Sequence, residues 1–397
     1  MGGCCSSEEE DPSPGVIPNI SVQNSANSTI EYGNGDKYEG EIKNGKENGM
    51  GKICYANGDV YNGNFRDGLK HGLGTMRYVS GDVYEGEFVK NLKHGQGELR
   101  FATGDIYVGS FVDDIENGKG TYHYADGDVY EGESVGGIKC GHGVFKHSSG
   151  ATYSGDWLDD KKHGVGIYKY VSGAEYEGEY KNDLKDGKGV FRFTSGDIYE
   201  GEYSQGAKNG MGTYKFASGD IYTGEYAADL KNGEGVYKFA SGDVYKGAFR
   251  DNHRNGVGQY TTAAGDYYEG QYKNDLKNGF GKHRSVDNEE YEGEFKDNKY
   301  HGKGIFRYNT GDIFEGEYRE DMKNGEGIYK FASGAEYRGT FKDNKYHGKG
   351  VYKHASGAVF EGNYFEGERN GKGTLKSSVG EILFDGEWRD GKKVLPK

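Results

Sequence analysis

The sequence predicts an all-β fold: an elongated, single-layer antiparallel sheet, a solenoid of about 16 tandem β-hairpins, preceded by a disordered N-terminal tail. Three observations predict it. The first is a period of 23 residues. Stepping by 23 from Tyr38 lands on Tyr61, Tyr84, Tyr107, Tyr130 and so on to Tyr337 and Phe360, an aromatic residue each time. A further copy follows at Phe384, displaced by one extra residue. Self-similarity at a fixed period of about 20 to 50 residues marks a repeat architecture. The second observation is alternation inside each unit. The third is the placement of glycine and proline.

The unit that begins at Tyr199 reads YEGEYSQGAKNGMGTYKFASGDI. Tyr199, Gly201 and Tyr203 alternate with Glu200 and Glu202, which predicts a strand with one aromatic and one charged face. The polar stretch SQGAKN reads as a turn. Gly210, Met211 and Gly212 then open a second alternating run, in which Tyr214 and Phe216 share a face and Lys215 points away. Ala217 to Asp220 turn the chain into the next unit. Each repeat is therefore a hairpin plus a turn.

The glycines fall into three recurring classes. One lies two residues after the anchor aromatic in every copy, from Gly40 to Gly386. Without a side chain there, aromatic rings can lie over bare backbone. A second class is the Gly-x-Gly pair, such as Gly72 and Gly74. A third precedes the anchor by three residues, as Gly58 and Gly81 do, and suits a turn conformation that other residues avoid. Together they account for 61 of the 72 glycines, so glycine here is scaffold. At Asn288 the turn glycine is replaced by a residue that also tolerates positive φ. All four prolines, Pro12, Pro14, Pro18 and Pro396, lie outside the repeats, as a continuous sheet requires, because proline removes a ladder donor.

The charged face is also coherent. Strand one tends to offer Glu (Glu177, Glu179) and strand two Lys or Arg (Lys169, Arg192). Opposite charges on neighbouring strands contribute roughly 0.2 to 1 kcal/mol per pair. An isolated hairpin is marginal, but stacked hairpins bury their aromatics, at about 150 to 250 Å² each. This accounts for a chain that is 14% aromatic with a mean hydropathy of −0.93. Such low hydropathy ordinarily indicates disorder; the strict periodicity overrules it.

The pattern Tyr-x-Gly-x-Phe/Tyr followed by a Lys-Asn type turn and His/Asn-Gly-x-Gly resembles the MORN repeat (membrane occupation and recognition nexus). YEGEFVKNLKHGQG from Tyr84 and YEGEFKDNKYHGKG from Tyr291 carry the resemblance. It covers roughly residues 32–391, leaving a tail at 1–31 and another at 392–397. The resemblance implies the single-layered twisted sheet. Two strands per repeat at about 4.8 Å give a rod on the order of 150 Å. It also implies homodimers, protein partners at membrane–cytoskeleton boundaries, and roles in the cortical or cell-division structures of protists. Two units depart from the pattern. In the fifth, Ser134 replaces the second aromatic and Val135-Gly136-Gly137 the usual turn. In the eleventh, His283 and Ser285 replace the strand-two aromatics. Bends, partner sites and sequence drift are all open readings of these.

The chain begins MGGCCSSEEED. Gly2 followed by Ser6 matches the N-myristoylation pattern, and Cys4 and Cys5 stand where palmitate is added. One myristoyl chain binds membranes only marginally, so a second signal is needed. Glu8, Glu9, Glu10 and Asp11 repel anionic lipid, which leaves Cys4 and Cys5 to supply it. Residues 12–31, rich in Ser, Asn and Pro, read as a flexible tether. Ser6 and Ser7 are candidate phosphorylation sites, which would add negative charge beside the acyl chains.

No apolar run approaches a membrane span, and no signal peptide is read. Of four cysteines, two are in the tag, Cys54 is expected in a strand and Cys140 in a turn. No disulfide framework follows, in keeping with a reducing cytosol. The net charge of −14 disfavours nucleic acid, which needs clustered basic surface, and general attraction to anionic lipid. No catalytic residue, cofactor site or metal site is expected. The His-Gly-x-Gly boxes (His71, His94, His163, His301, His347) invite a metal reading. Asn48, Asn117, Asp186 and Asn209 fill the same position, however, which points to a turn former. Gly-x-Gly lacks the strand-to-helix context of a phosphate loop, and the repeated glutamates, such as Glu39 and Glu41, read as a solvated face.

The expectation is a membrane-anchored, non-catalytic scaffold at the cytosolic face of the plasma membrane or a cortical membrane compartment. Two alternatives are a phosphoinositide or phospholipid headgroup module and a regulatory subunit for an enzyme supplied in trans. A glycan- or choline-binding aromatic repeat would need extracellular targeting, which the N-terminal tag contradicts.

Overall fold

The computed structural model describes residues 28–395. Its regular elements are all β: 33 strands, numbered β1 to β33 in chain order, and no helix among the described residues. The chain divides into two compact units, Met1–Ser148 and Ser149–Lys397. The described part of the first holds β1 to β11, and that of the second β12 to β33. Within each unit, strands that follow one another in the chain pair antiparallel, as in β2 (Lys37–Lys43) with β3 (Lys46–Cys54) and β3 with β4 (Val60–Arg66). The predicted hairpin array is thus the observed one.

One repeat of the second unit shows how the sequence builds it. β16 (Ile198–Ser204) and β17 (Ala207–Lys215) are joined by Gln205 and Gly206 alone, with φ of 49° and 90°. Two successive left-handed residues make the hairpin turn whose twist matches that of its strands. The sequence reading extended this turn over residues 204–209. The structure confines it to two residues, because the tight turn lets Ala207 and Lys208 pair straight away with Ser204 and Tyr203. Tyr203 lies opposite Lys208, Gly201 opposite Gly212 and Tyr199 opposite Tyr214, with a register shift between Gly201 and Tyr203. That shift is a β-bulge, which admits extra residues and increases the twist.

β17 then pairs with β18 (Ile221–Ala227), with Gly212 opposite Gly224 and Tyr214 opposite Tyr222. Gly201, Gly212, Gly224, Gly235 and Gly247 consequently form a row across the sheet. The anchor rings lie over this row. A Cβ on Gly201 would fall 2.5 Å from the Tyr199 hydroxyl. The Tyr199 hydroxyl donates to the carbonyl of Glu202 at 3.0 Å, so its polar end is satisfied while the ring is fully buried. Tyr199 meets Tyr203 of its own repeat and Tyr226 of the next edge-on, with centroids 5.3 and 5.2 Å apart. This edge-to-face geometry is the one aromatic quadrupoles prefer. It recurs from repeat to repeat and makes a core without a second layer.

Between repeats the chain turns at Phe216–Asp220. The Phe216 N–H donates to Asp220 O, and the Gly219 N–H donates to Phe216 O, both at 2.9 Å. Gly219 has a φ of 95°. Asn288 holds the corresponding position at 60°, as the sequence implied.

Both ends of the array extend past the predicted limits. Ser28–Glu31, assigned to the tether, form β1 and pair with β2, with Ile30 opposite Tyr38. Ile30 packs on the first unit's core and so covers the first anchor. At the other end Lys392–Lys393, assigned to the tail, form β33 beside β32 (Ile382–Arg389).

Candidate functional site

Gly2, Cys4 and Cys5 lie outside the described residues, as do Ser6 and Ser7. Cys54 is in β3 as expected. Cys140 is not in a turn: it lies in β11 (Ile138–Lys146), opposite Glu133. The two-glycine turn at Gly136 and Gly137 lets β11 begin at Ile138. Both thiols are free.

The aromatic face carries cations that the charge alternation did not predict. Nine residues after most anchors stands a basic residue: Lys162, Lys185, Lys208, Lys231, Arg254 and Lys277 in successive repeats of the second unit. The Lys185 ammonium lies 5.1 Å from the Tyr176 ring centroid, 4.5 Å from that of Phe191 and 5.6 Å from that of Tyr203. Lys231 is held in the same way by Tyr222, Tyr237, Phe216 and Phe249. Burial among the rings lowers the pKa of both ammonium groups. Cation–π attraction, about 0.5 to 2 kcal/mol, offsets part of that desolvation. The signal was present in the sequence as a basic residue recurring at one fixed offset. It was missed because the bulge puts this position on the aromatic face.

The bulge also assigns a role to the glutamates read as solvated. Glu179 accepts the backbone N–H of Lys188 at 2.8 Å, Glu225 that of Glu234 at 3.1 Å, and Asp156 that of Val165 at 3.0 Å. An acid three residues after the anchor therefore satisfies an amide that the bulge frees from the ladder. The His-Gly-x-Gly position is likewise part of the bulge rather than of a turn. His163 lies opposite Asp156 within β13 (Lys161–Lys169) and precedes Gly164, whose φ is 56°. Among the described residues no group of three or more His, Cys, Asp or Glu gathers as a metal site would require.

On the charged face, Lys169 pairs with Glu175 at 3.6 Å and Arg192 with Glu177 at 3.5 Å. These side chains are about half exposed, so each pair contributes roughly 0 to 1 kcal/mol. An open groove of about 590 Å³ runs over the second unit, lined by Phe280, Glu292, Ile305, Glu315, Ile328 and Arg338. In the first unit the cross-strand pairs Val112–Ile115 and Val135–Ile138 leave all four aliphatic side chains exposed.

The irregular units keep their backbone. In the fifth, Gly136 and Gly137 have φ of 65° and 76°, where Asp113 and Asp114 of the preceding repeat have 49° and 71°. In the eleventh, His283 Nδ1 lies 3.0 Å from the Tyr300 hydroxyl, so the substituted ring finds a partner in the next repeat.

A comparison with known families matches the MORN repeat in sixteen segments, beginning with residues 38–60, 61–83 and 84–106 and ending with 360–381 and 384–394. No curated protein matches. Among solved structures, a mutant of the TCP10 domain of Danio rerio CPAP is similar over 56% of this chain and 99% of that chain, with 12% identity and a TM-score of 0.30. The TCP10c domain of Drosophila melanogaster Sas-4 is similar over 45% and 99%, with 13% identity and a TM-score of 0.24. A virginiamycin B lyase from Staphylococcus aureus is similar over 79% and 94%, with 11% identity and a TM-score of 0.12. The in-register matches, together with the anchor-over-glycine row that each contributes, establish that the chain belongs to the MORN-repeat family.

Proposed function

We propose that this chain is a non-catalytic scaffold held at the cytosolic face of a membrane, where its repeats gather protein partners. The observation that carries the scaffold reading is that MORN repeats account for the chain from residue 38 to residue 394. MORN repeats are generally non-catalytic modules, and the chemistry-bearing side chains have structural roles here. Glutamates cap bulges, lysines fill aromatic slots and aspartates join turns. The exposed aliphatic pairs Val112–Ile115 and Val135–Ile138 support protein binding, since apolar surface of this kind is characteristic of contact regions.

The anchoring part of the proposal rests on Gly2, Cys4 and Cys5. A myristoyl chain on Gly2 with palmitoyl chains on the two cysteines gives the two signals that stable attachment needs. The partners proposed are cytoskeletal or cortical proteins, with a second copy of the chain among them. The test is membrane fractionation of the wild type beside Gly2→Ala and a Cys4→Ala/Cys5→Ala double variant. The expected result is that both variants move to the soluble fraction. If both remain on membranes, acylation is not the anchor, and lipid or partner binding by the repeats takes its place.

A further inference from the structure

Arg254 and Arg369 occupy the same place in their repeats, nine residues after Tyr245 and Phe360. Arg254 is neutralised by the following repeat. Its Nε donates to Asp275 Oδ1 at 3.2 Å and its Nη2 to the Asp275 carbonyl at 2.9 Å. The residue corresponding to Asp275 after Arg369 is Gly391, which has no side-chain carboxylate; its N–H donates to the Arg369 carbonyl at 3.0 Å. Among the described residues Arg369 has no carboxylate partner. Its guanidinium lies over Phe360 and Trp388, 4.5 and 5.1 Å from their centroids. Its Nη2 is 3.0 Å from His354 Nε2. A guanidinium only donates, so Nε2 carries no proton and His354 is neutral. Burial first, and then Arg369, hold its pKa below the usual value.

A cavity of about 290 Å³ opens here, lined by Tyr346, Tyr352, His354, Tyr364, Glu368 and Arg369. Tyr364 is 5% exposed; the Arg369 guanidinium is near enough to donate to its hydroxyl oxygen, but the buried hydroxyl hydrogen has no acceptor among the described residues. Burial pushes its pKa up to about 12, against the neighbouring charge of Arg369. Arg369 cannot accept the hydroxyl proton, so that O–H bond points at no acceptor. The Glu368 carboxylate lies beside Gly391 and forms no ion pair with Arg369. The site thus combines an uncompensated cation, an orphaned buried donor and aromatic walls.

We propose that this cavity is an oxyanion site, in which a phosphate or carboxylate group accepts from the Arg369 guanidinium and from the Tyr364 hydroxyl. The planar fork of an arginine matches either group. The bound oxygen would supply the acceptor that Tyr364 lacks and the negative charge that Asp275 supplies to Arg254. The inference is independent of membrane anchoring.

The test is calorimetric titration of the full chain with inorganic phosphate and, separately, with glutarate. Two variants accompany it. Tyr364→Phe removes only the hydroxyl, and Phe341 and Phe295 show that phenylalanine packs at this position. Gly391→Asp restores the internal carboxylate. Gly391 has a φ of 76°, close to the 69° of Asp275, and a Cβ there meets only the movable end of Glu368. Thermal unfolding verifies that both variants fold. The expected result is that the wild type binds at least one anion, Tyr364→Phe weakens it about tenfold and Gly391→Asp abolishes it. Which anion binds identifies the group preferred. The proposal is overturned if the wild type binds neither anion at about 10 mM, or if folded Gly391→Asp binds as the wild type does.

Discussion

The ring of Tyr199 occupies the space that a side chain on Gly212 would need. An ideal Cβ on Gly212 falls 2.5 Å from the Tyr199 hydroxyl oxygen and 2.6 Å from its Cε2, closer than real Cβ contacts come. Gly212→Ala is therefore expected to destabilise the local repeats by about 1 to 3 kcal/mol, the usual cost of overpacking. Gly33→Ala serves as the control, since nothing lies within 4 Å of its Cβ. Amide hydrogen exchange is the suitable measurement, because stability in a repeat array is local. Faster exchange in β16 and β17 for Gly212→Ala alone is the expected outcome.

Tyr222 separates the contribution of the ring from that of the hydroxyl. The ring is fully buried and meets Tyr226 and Phe249 edge-on, at 5.3 and 5.1 Å. The hydroxyl donates to the Glu225 carbonyl at 3.0 Å. Phe314 and Phe360 hold the same position in their repeats, both fully buried. Tyr222→Phe should cost no more than about 0.5 to 1.5 kcal/mol, and Tyr222→Ala about 3 to 5 kcal/mol. Urea denaturation of the two variants, compared with the wild type, checks the difference. Equal losses would mean that the hydroxyl, not the ring, holds the repeat.

Asp220 ties one inter-repeat turn to the next. It accepts the Ala240 N–H at 2.7 Å and the Tyr237 hydroxyl at 3.0 Å. The backbone bond from Ala240 holds its pKa below the usual carboxylate value; burial opposes it less strongly, and the Tyr237 hydroxyl adds a still smaller lowering. A depressed folded pKa contributes stability that is present above the unfolded value, about 3.9, and lost as pH falls through the folded one. Asp197, Asp243 and Asp312 are depressed in the same direction. The array should therefore lose stability progressively as pH falls below about 4. Asp220→Ala should show a smaller acid loss, and alanine fits, since Ala174 holds this position in another repeat. Circular dichroism from pH 6 down to about 2 follows the transition.

The tyrosines predict the alkaline limit. Burial raises the pKa of Tyr55, Tyr78 and Tyr122, each to about 12, and raises that of the anchor Tyr222 further. A raised folded pKa contributes stability that is complete below the unfolded value, about 10, and lost as pH rises toward the folded one. Lys185 and Lys231, with lowered pKa values, act in the opposite direction, and the tyrosines outnumber such lysines. Absorbance of ionised tyrosine followed together with circular dichroism should show ionisation coinciding with unfolding above about pH 10. Full ionisation of the tyrosines with the sheet intact would contradict this burial.

Much of this architecture was legible in residues 32–391 because each repeat is a local unit. The aromatic alternation in β16, the left-handed turn at Gly219 and the substitution at Asn288 all depend on residues a few positions apart. The bulge was not legible. It arises from the fit of a nine-residue strand, β17, to a seven-residue one, β16. It moves Lys208 onto the aromatic face and, in other repeats, gives Glu179 and Glu225 an amide to satisfy. The ends were misjudged for a related reason. Ser28–Glu31 have no periodic partner in the sequence, yet Ile30 pairs with Tyr38 because an open edge accepts any extended segment.

The sequence by itself determined the repeat, its hairpin, its aromatic core and its family, since a 23-residue period with glycine at fixed offsets admits few other folds. Tertiary structure alone decided which side chains meet across repeats. Arg254 meets Asp275, 21 residues on, while Arg369 meets no carboxylate among the described residues because Gly391 stands there. That difference rests on the register between neighbouring hairpins. The period implies the register, but only the pairing of the strands turns it into contacts.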